Sequence, residues 1–198
     1  MKIAALVISL LISSGASAAA IDQIKSFSSS MKSMKGEFIQ TKVGKKITPA
    51  ATGSFEFLRP GKFIWEYKSP YTQLLQSDGT TLFIHDKDLN QVTKKSVGDA
   101  IGSSPAGILF GNVDLQKTYT LTEDGTADGI EWLKAVPKSK DSSFEFVRIG
   151  MTANKPVAME IRDTFGQTTL ISLKNVQTNI SVNASRFKFV PPKDAEIN

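Results

Sequence analysis

The hydrophobic pattern of the chain has two different periods, which predict a helix followed by many strands. Apolar residues first recur every three or four positions, which predicts an amphipathic helix ended by Gly36. These periodic residues are Ile21, Ile24, Phe27, Met31 and Met34. Beyond them apolar and polar residues alternate, as in strands with one buried face. The predicted strands are residues 37–43, 52–58, 62–67, 72–77, 80–85, 91–94, 116–122, 130–136, 143–151, 156–163, 168–176 and 186–190.

A different pattern interrupts the strands at residues 97–111, which are small, apolar and poor in β-branched types. Ser104 is suited to cap a helix and Gly111 to end one. We therefore predict two short helices, broken near residues 102–103. Strands joined by hairpins, with an N-terminal helix and a central helical insert, predict an α+β fold built on a large antiparallel sheet.

The segment from Gly53 to Thr93 is the most informative, because its strands bring aromatic rings to one face. Five rings lie on two strands joined by a Pro60-Gly61 turn, and they are Phe55, Phe57, Phe63, Trp65 and Tyr67. They alternate with Ser54 and Glu56 on the first strand and with Ile64, Glu66 and Lys68 on the second. Arg59 continues the every-second-residue spacing of Phe55 and Phe57. It therefore points onto the apolar face, where a charge needs a partner. An apolar wall with one placed cation predicts a site for a lipid or another hydrophobic ligand. A plain hydrophobic core is the alternative interpretation.

The N-terminus has the form of a secretory signal. Lys2 precedes an apolar run, residues 3–12, that is too short to span a bilayer, and small residues follow it. We predict a signal peptide over residues 1–18, cleaved after Ala18 or alternatively after Ala20. Residues 19–198 are then a single domain. A membrane anchor fits less well because the apolar run is short.

The composition of the chain indicates its cellular compartment and limits the kinds of partner to be expected. The chain has no cysteine, which excludes disulfides and a lipid-modified N-terminal cysteine. Secretion without disulfides fits a bacterial periplasm. The net charge of +5 and the pI of about 9.3 suit contact with anionic lipid head groups or acidic partners, although we favour solvated loop lysines as the explanation. We expect no nucleic acid as a partner in this compartment.

Residues that could carry catalysis or bind a metal are few. His85 is the only histidine, and a lone histidine is more often structural than catalytic. Asp86 and Asp88 resemble the start of a calcium loop, but Gln91 and Val97 stand where that loop needs glycine and glutamate. A hydrolase would also need a base beside its nucleophile. We therefore predict that the protein is not an enzyme and holds no cofactor or metal.

Several spaced motifs resemble the periplasmic outer-membrane lipoprotein carrier protein family, LolA. The first is LRPGKFIWEY at residues 58–67, followed by a Ser-Asp-Gly hairpin and Gln-Val-Thr at residues 91–93. The resemblance continues in SSPAGILFGN, residues 103–112, in IRDTFGQTTLISLKNVQTN, residues 161–179, and in FKFVPP, residues 187–192. The motifs occur in order and cover nearly the whole mature chain.

The resemblance implies an incomplete antiparallel β-barrel, or half-barrel, with a helical lid over a hydrophobic cavity. In the family, the arginine of the Arg-Pro pair bonds to backbone carbonyls of the lid helices and keeps the cavity shut, which implies that Arg59 is the latch. The lid residues implied here are Ile108, Leu109 and Phe110. Together with the five rings, they are expected to line the site for acyl chains.

The resemblance also implies a function. The protein is expected to be a monomer that carries triacylated lipoproteins across the periplasm without a cofactor. An inner-membrane lipoprotein-releasing ABC transporter is expected to load it, and an outer-membrane lipoprotein receptor to unload it. The alternative is a related half-barrel that binds another lipid or senses lipoprotein in envelope regulation.

Overall fold

The computed structural model describes residues 19–44, 48–97, 109 and 115–198. Across these residues, twelve strands form one sheet with few helices, which confirms the predicted α+β class. The helices are α1 (Ala20–Ser30), α2 (Leu115–Thr118) and a 3-10 helix (Ala184–Phe187). The strands are β1 (Ser33–Val43), β2 (Ala51–Leu58), β3 (Lys62–Ser69), β4 (Gln73–Asp78), β5 (Thr81–Asp86), β6 (Gln91–Ser96), β7 (Tyr119–Ala127), β8 (Ile130–Pro137), β9 (Phe144–Thr152), β10 (Lys155–Asp163), β11 (Thr168–Thr178) and β12 (Glu196–Ile197).

The sheet is a long antiparallel meander that does not close. Its strand order is β12-β6-β5-β4-β3-β2-β1-β11-β10-β9-β8-β7, and only the β12–β6 pair is parallel. The first strand lies in the middle of the sheet, where β1 pairs with both β2 and β11. The predicted incomplete barrel is therefore confirmed. Within the described ranges, no helix is long and apolar enough to cross a membrane.

Helix α1 lies on the inner face of the sheet and packs against β7, β8, β9 and β10. Its N-cap residue Ala19 has no side-chain acceptor, and Glu123 of β7 supplies one instead. The Glu123 carboxylate accepts hydrogen bonds from the backbone N–H groups of Ala20 and Ile21, each at 3.0 Å. A carboxylate at a helix N-terminus also interacts favourably with the helix dipole. Glu123 thus fixes the start of α1 to the sheet.

The predicted end of this helix was wrong. Helix α1 stops at Ser30, and Met34 and Gly36 belong to β1. The Ser29 and Ser30 hydroxyls donate to the Ser26 carbonyl, a back-bond that weakens a helix end. Met34 is buried as predicted, but it reaches the core from a strand.

The predicted strand at residues 186–190 was also wrong. A 3-10 turn forms instead, because the Asn183 side chain accepts from the backbone N–H of Ser185 at 3.0 Å. The segment then lies on the outer face of the sheet. There Phe187 is fully buried, and Phe189 stacks on Phe83 with 4.7 Å between ring centroids. The C-terminal segment therefore covers the outer face of the sheet.

Two further predictions fall in the middle of the chain. The strand predicted at residues 116–122 begins only at Tyr119, because Leu115 and Tyr119 are both buried at helical spacing around α2. The two helices predicted within residues 97–111 lie outside the described residues, apart from Val97 and Leu109. Both of those residues are helical and buried.

Candidate functional site

The five aromatic residues predicted to share a face do so, and we call them the aromatic wall: Phe55, Phe57, Phe63, Trp65 and Tyr67. Strands β2 and β3 pair so that Phe55 lies opposite Trp65 and Phe57 opposite Phe63. Four of the side chains are buried and Tyr67 is half-buried. The alternate residues of both strands, such as Glu56 and Glu66, lie on the outer face. The period-two pattern thus fixes the inner face of this part of the sheet.

Strand β1 adds a sixth ring that sequence reasoning did not include. Phe38 stacks on Trp65 with ring centroids 4.1 Å apart and meets Tyr67 edge-on at 5.1 Å. Offset and edge-on ring pairs of this kind are favourable beyond their buried area. The signal for this ring was weak, since Phe38 shares its face of the predicted strand with the polar residues Gln40 and Lys42.

Gly53 makes this stacking possible. A Cβ at Gly53 would lie 2.0 Å from the Glu66 carbonyl oxygen and 2.5 Å from Cζ of Phe38. No side chain fits there, so the Phe38 ring lies directly over the backbone of β2. The close approach of the strands and the position of the ring therefore both depend on glycine.

Arg59 follows β2 and reaches the inner side, where it joins two separate segments. Its Nη1 donates to the carbonyl oxygen of Ser28 in the last turn of α1, and its Nη2 donates to the carbonyl oxygen of Leu109 at 3.5 Å. Its guanidinium carbon lies 5.8 Å from the centroid of the Phe27 ring. The carbonyl end of a helix is partly negative, so it suits a desolvated cation.

Burial leaves this cation incompletely satisfied. In the described part of the chain, the Nε of Arg59 is buried without a hydrogen-bond partner. Burial also lowers the pKa of the Arg59 guanidinium below its ordinary value, because desolvation penalises the charged form. The contacts of Arg59 therefore join two segments of the chain at some energetic cost.

The inner face is filled by the chain's own side chains. Leu109 is only 1% exposed and shares one apolar core with the aromatic wall. Ile24 and Phe27 of α1 belong to the same core. Ile108 and Phe110, the other predicted lid residues, lie outside the described residues. Helix α1 and Leu109 thus cover the face on which the wall lies.

The residues considered for catalysis or metal binding lie elsewhere. His85 is buried on the outer face, 6.1 Å from the ring of Phe189. Asp86 accepts from the backbone of its own turn, and Asp88 accepts from the backbone and hydroxyl of Thr72. Across the residues that the structure describes, no group of three or more His, Asp or Glu side chains could hold a metal ion. Asp86 and Asp88 thus hold the turns at the ends of β4 to β6 in place.

Comparison with solved structures defines the class of fold. A LolA superfamily protein from Nitrosomonas europaea superposes with a TM-score of 0.50 at 8% identity, covering 87% of this chain and 99% of that one. At this identity the likeness concerns the fold alone, an open antiparallel sheet with few helices.

Sequence comparison is more specific. The family model "Outer membrane lipoprotein carrier protein LolA" matches residues 29–190. An outer-membrane lipoprotein carrier protein from Cupriavidus pinatubonensis is 51% identical over 185 residues, which cover 91% of this chain and 87% of the relative. One from Neisseria meningitidis is 43% identical over 182 residues, covering 92% and 88%. The chain belongs to the LolA family of outer-membrane lipoprotein carrier proteins.

Proposed function

We propose that this protein is a periplasmic, non-enzymatic carrier that binds the acyl chains of lipoproteins released from the inner membrane and delivers them to an outer-membrane receptor. The observation that carries the proposal is the position of Arg59. It lies at one end of the aromatic wall and bonds to carbonyls of the two segments that cover the wall. Family membership supports lipoprotein as the cargo.

The physical need for such a carrier follows from the cost of exposing acyl chains to water. Each buried CH2 group contributes ~0.8 kcal/mol, so a protein with three acyl chains does not leave a bilayer for water unaided. A carrier has to cover those chains with an apolar surface of its own. The aromatic wall and the apolar core around it offer such a surface.

A carrier must also release its cargo, and the latch provides for this. In the closed form, Phe27 and Leu109 fill the space that acyl chains would take. Opening separates Arg59 from the carbonyls of Ser28 and Leu109, which costs free energy and lowers the apparent affinity for acyl chains. A receptor with a more accessible apolar site can then take the cargo without any energy source in the carrier.

The remaining parts of the proposal come from the N-terminal sequence and from the family. Residues 1–18 act as a signal peptide and direct the protein to the periplasm. The cargo is triacylated lipoprotein, an inner-membrane ABC transporter loads it, and the carrier itself works as a monomer without a cofactor. The transporter alone uses nucleotide.

A substitution on the wall tests the proposal. Phe63→Glu places an ionised carboxylate at a buried position, so we expect weaker binding of an environment-sensitive hydrophobic dye and of lipoprotein. Phe165→Glu is the matched control, because Phe165 is 95% exposed in the β10–β11 turn. For both variants, the affinity for the dye is measured by titration, and the affinity for lipoprotein is measured by its competition with the dye. If Phe63→Glu binds normally while folded, the acyl site does not lie on this wall.

A further inference from the structure

The inner face of β1 to β4 changes in polarity from one end to the other. Beside Arg59, the strand register places Met34, Phe57 and Phe63 in one row, and all three are buried. The β4 member of the row, Ser77, is polar but fully buried, and its hydroxyl donates to the Gly61 carbonyl at 2.7 Å. Further along the same strands, the inward positions become polar and half-buried, at Gln40 and at Gln73, which lies opposite Tyr67. One face therefore has an apolar end and a polar end.

A continuous series of rings connects the two ends. Phe55 stacks on Trp65 at 5.6 Å, and from Trp65 the series passes through Phe38 to Tyr67. Tyr67 contacts the ring of Tyr71, in the β3–β4 connection, at 5.1 Å. Phe55, Trp65 and Phe38 are buried, at 2%, 6% and 1% exposure, Tyr67 is half-buried, and Tyr71 is 41% exposed. The aromatic surface thus reaches solvent at the end opposite Arg59.

The polar end offers hydrogen bonds at the boundary between the apolar surface and water. The Tyr67 hydroxyl donates to Oε1 of Gln40 at 3.0 Å. Burial, with the neighbouring Tyr71 as a smaller cause, raises the pKa of Tyr67 to about 12, so the hydroxyl stays protonated at neutral pH. Ester and amide carbonyls of a lipid need hydrogen-bond donors, because burying them without a hydrogen bond is costly. The Tyr67 proton is donated to Gln40, so the donors for a lipid carbonyl are the side-chain amide N–H groups of Gln40 and Gln73. The boundary matches the place where acyl chains join a polar head.

The Arg59 end does not have these properties. It is closed by the last turn of α1 and by residue 109, and it has only apolar residues on the wall. A polar head group placed there would lie against Phe57 and Phe63, and it would have to compete with the carbonyls of Ser28 and Leu109 for Arg59. Release of Arg59 would instead let α1 and residue 109 withdraw, so that the ends of long chains reach this region.

We propose that acyl chains enter at the Tyr71 end, with their polar head at Gln40, Tyr67 and Gln73 and their methyl ends directed toward Phe63 and Arg59. The inference rests on the proposed function and adds the orientation of the cargo. It makes the β3–β4 connection the portal of the carrier.

Depth-dependent quenching measures this orientation. The chain has no cysteine, so a single introduced cysteine can carry a bimane fluorophore. Tyr71→Cys reports on the proposed portal, and Lys32→Cys reports on the other end, because Lys32 is exposed and its carbonyl accepts from the backbone N–H of Arg59 at 2.8 Å. The probes are two stearic acids, one with a nitroxide beside the carboxylate and one with a nitroxide beside the terminal methyl.

We expect the carboxylate-side nitroxide to give the larger fluorescence loss at position 71, and the methyl-side nitroxide to give the larger loss at position 32. The reverse order, or equal losses at both positions, overturns the orientation but leaves the carrier function in place, since the lipid is bound. No quenching at either position by either probe contradicts the proposed function together with the portal. A label at Phe165→Cys, far out on the β10–β11 turn, measures quenching by unbound probe.

Discussion

Replacing Arg59 by leucine removes the cation that joins α1 and residue 109. The wild-type side chain donates to the Ser28 carbonyl and, at 3.5 Å, more weakly to the Leu109 carbonyl. A hydrogen bond from a charged group contributes about 1.5–3 kcal/mol, and the buried Nε without a partner offsets part of this. We therefore expect the closed form to lose about 1–2 kcal/mol, which shifts the open-to-closed ratio by roughly 5–30-fold.

The expected consequence is tighter binding and poorer release. Because closure competes with acyl chains, the dye affinity of Arg59→Leu should rise by up to the same factor. The variant should still take lipoprotein from inner membranes but pass it poorly to the receptor. Arg148→Leu is the control, because Arg148 pairs with Asp124 and Glu160 away from the wall. It should lower Tm and leave dye affinity unchanged.

Thermal melting, dye titration and receptor transfer, measured side by side, decide the outcome. A folded Arg59→Leu protein with unchanged affinity and unchanged transfer would refute the latch. If melting temperature, uptake and transfer all fall together, Arg59 only stabilises the fold.

Three other substitutions test the physical account. Gly53→Ala should destabilise the protein by at least about 1–3 kcal/mol in urea unfolding, whereas Gly44→Ala, with open space around it, should change little; equal effects would contradict the packing of β2. Glu123→Ala should remove the cap of α1 and lower Tm by roughly 2–4 °C, for a loss of about 1 kcal/mol; an unchanged Tm would exclude the cap. Since burial raises the pKa of Tyr67 from 10.0 to about 12, the unfolded chain loses that proton first and stability should fall as pH rises through this range. Tyr67→Phe should flatten the fall more than Tyr71→Phe, and identical alkaline curves would contradict the burial of the hydroxyl.

Much of the fold was predictable because strand alternation is a local signal. The alternation of Phe55, Phe57, Phe63 and Trp65 with other residues showed which side of each strand faces inward. That pattern, with the turn between the strands, also sets the register in which the rings pair. The same alternation indicated that Arg59 points inward. Its acceptors could not be derived from periodicity, since the carbonyls of Ser28 and Leu109 reach it only through the packing of α1 and residue 109. The latch role of Arg59 and the acyl-binding role of the wall remain predictions.

Distant contacts contribute to each of the errors, together with local side-chain hydrogen bonds. Met34 fits a helical period as well as a strand, and only pairing with β2 and β11 selects the strand. Phe187 and Phe189 alternate like strand residues, but the Asn183 cap forms a 3-10 turn, Phe187 is buried, and Phe189 stacks on Phe83. Likewise, the residues around Ala19 do not indicate that Glu123 caps α1, because Glu123 is 102–103 positions further along the chain.

The central claim is that this protein removes acylated lipoproteins from a membrane into solution, and spheroplasts test it most directly. Purified protein beginning at Ala19 is added to spheroplasts of a bacterium that makes outer-membrane lipoproteins, and the supernatant is probed for them. We predict that lipoprotein appears in the supernatant in a one-to-one complex with the carrier, and that Phe63→Glu releases much less. A supernatant that holds no more lipoprotein with the wild-type protein than with buffer would contradict the account.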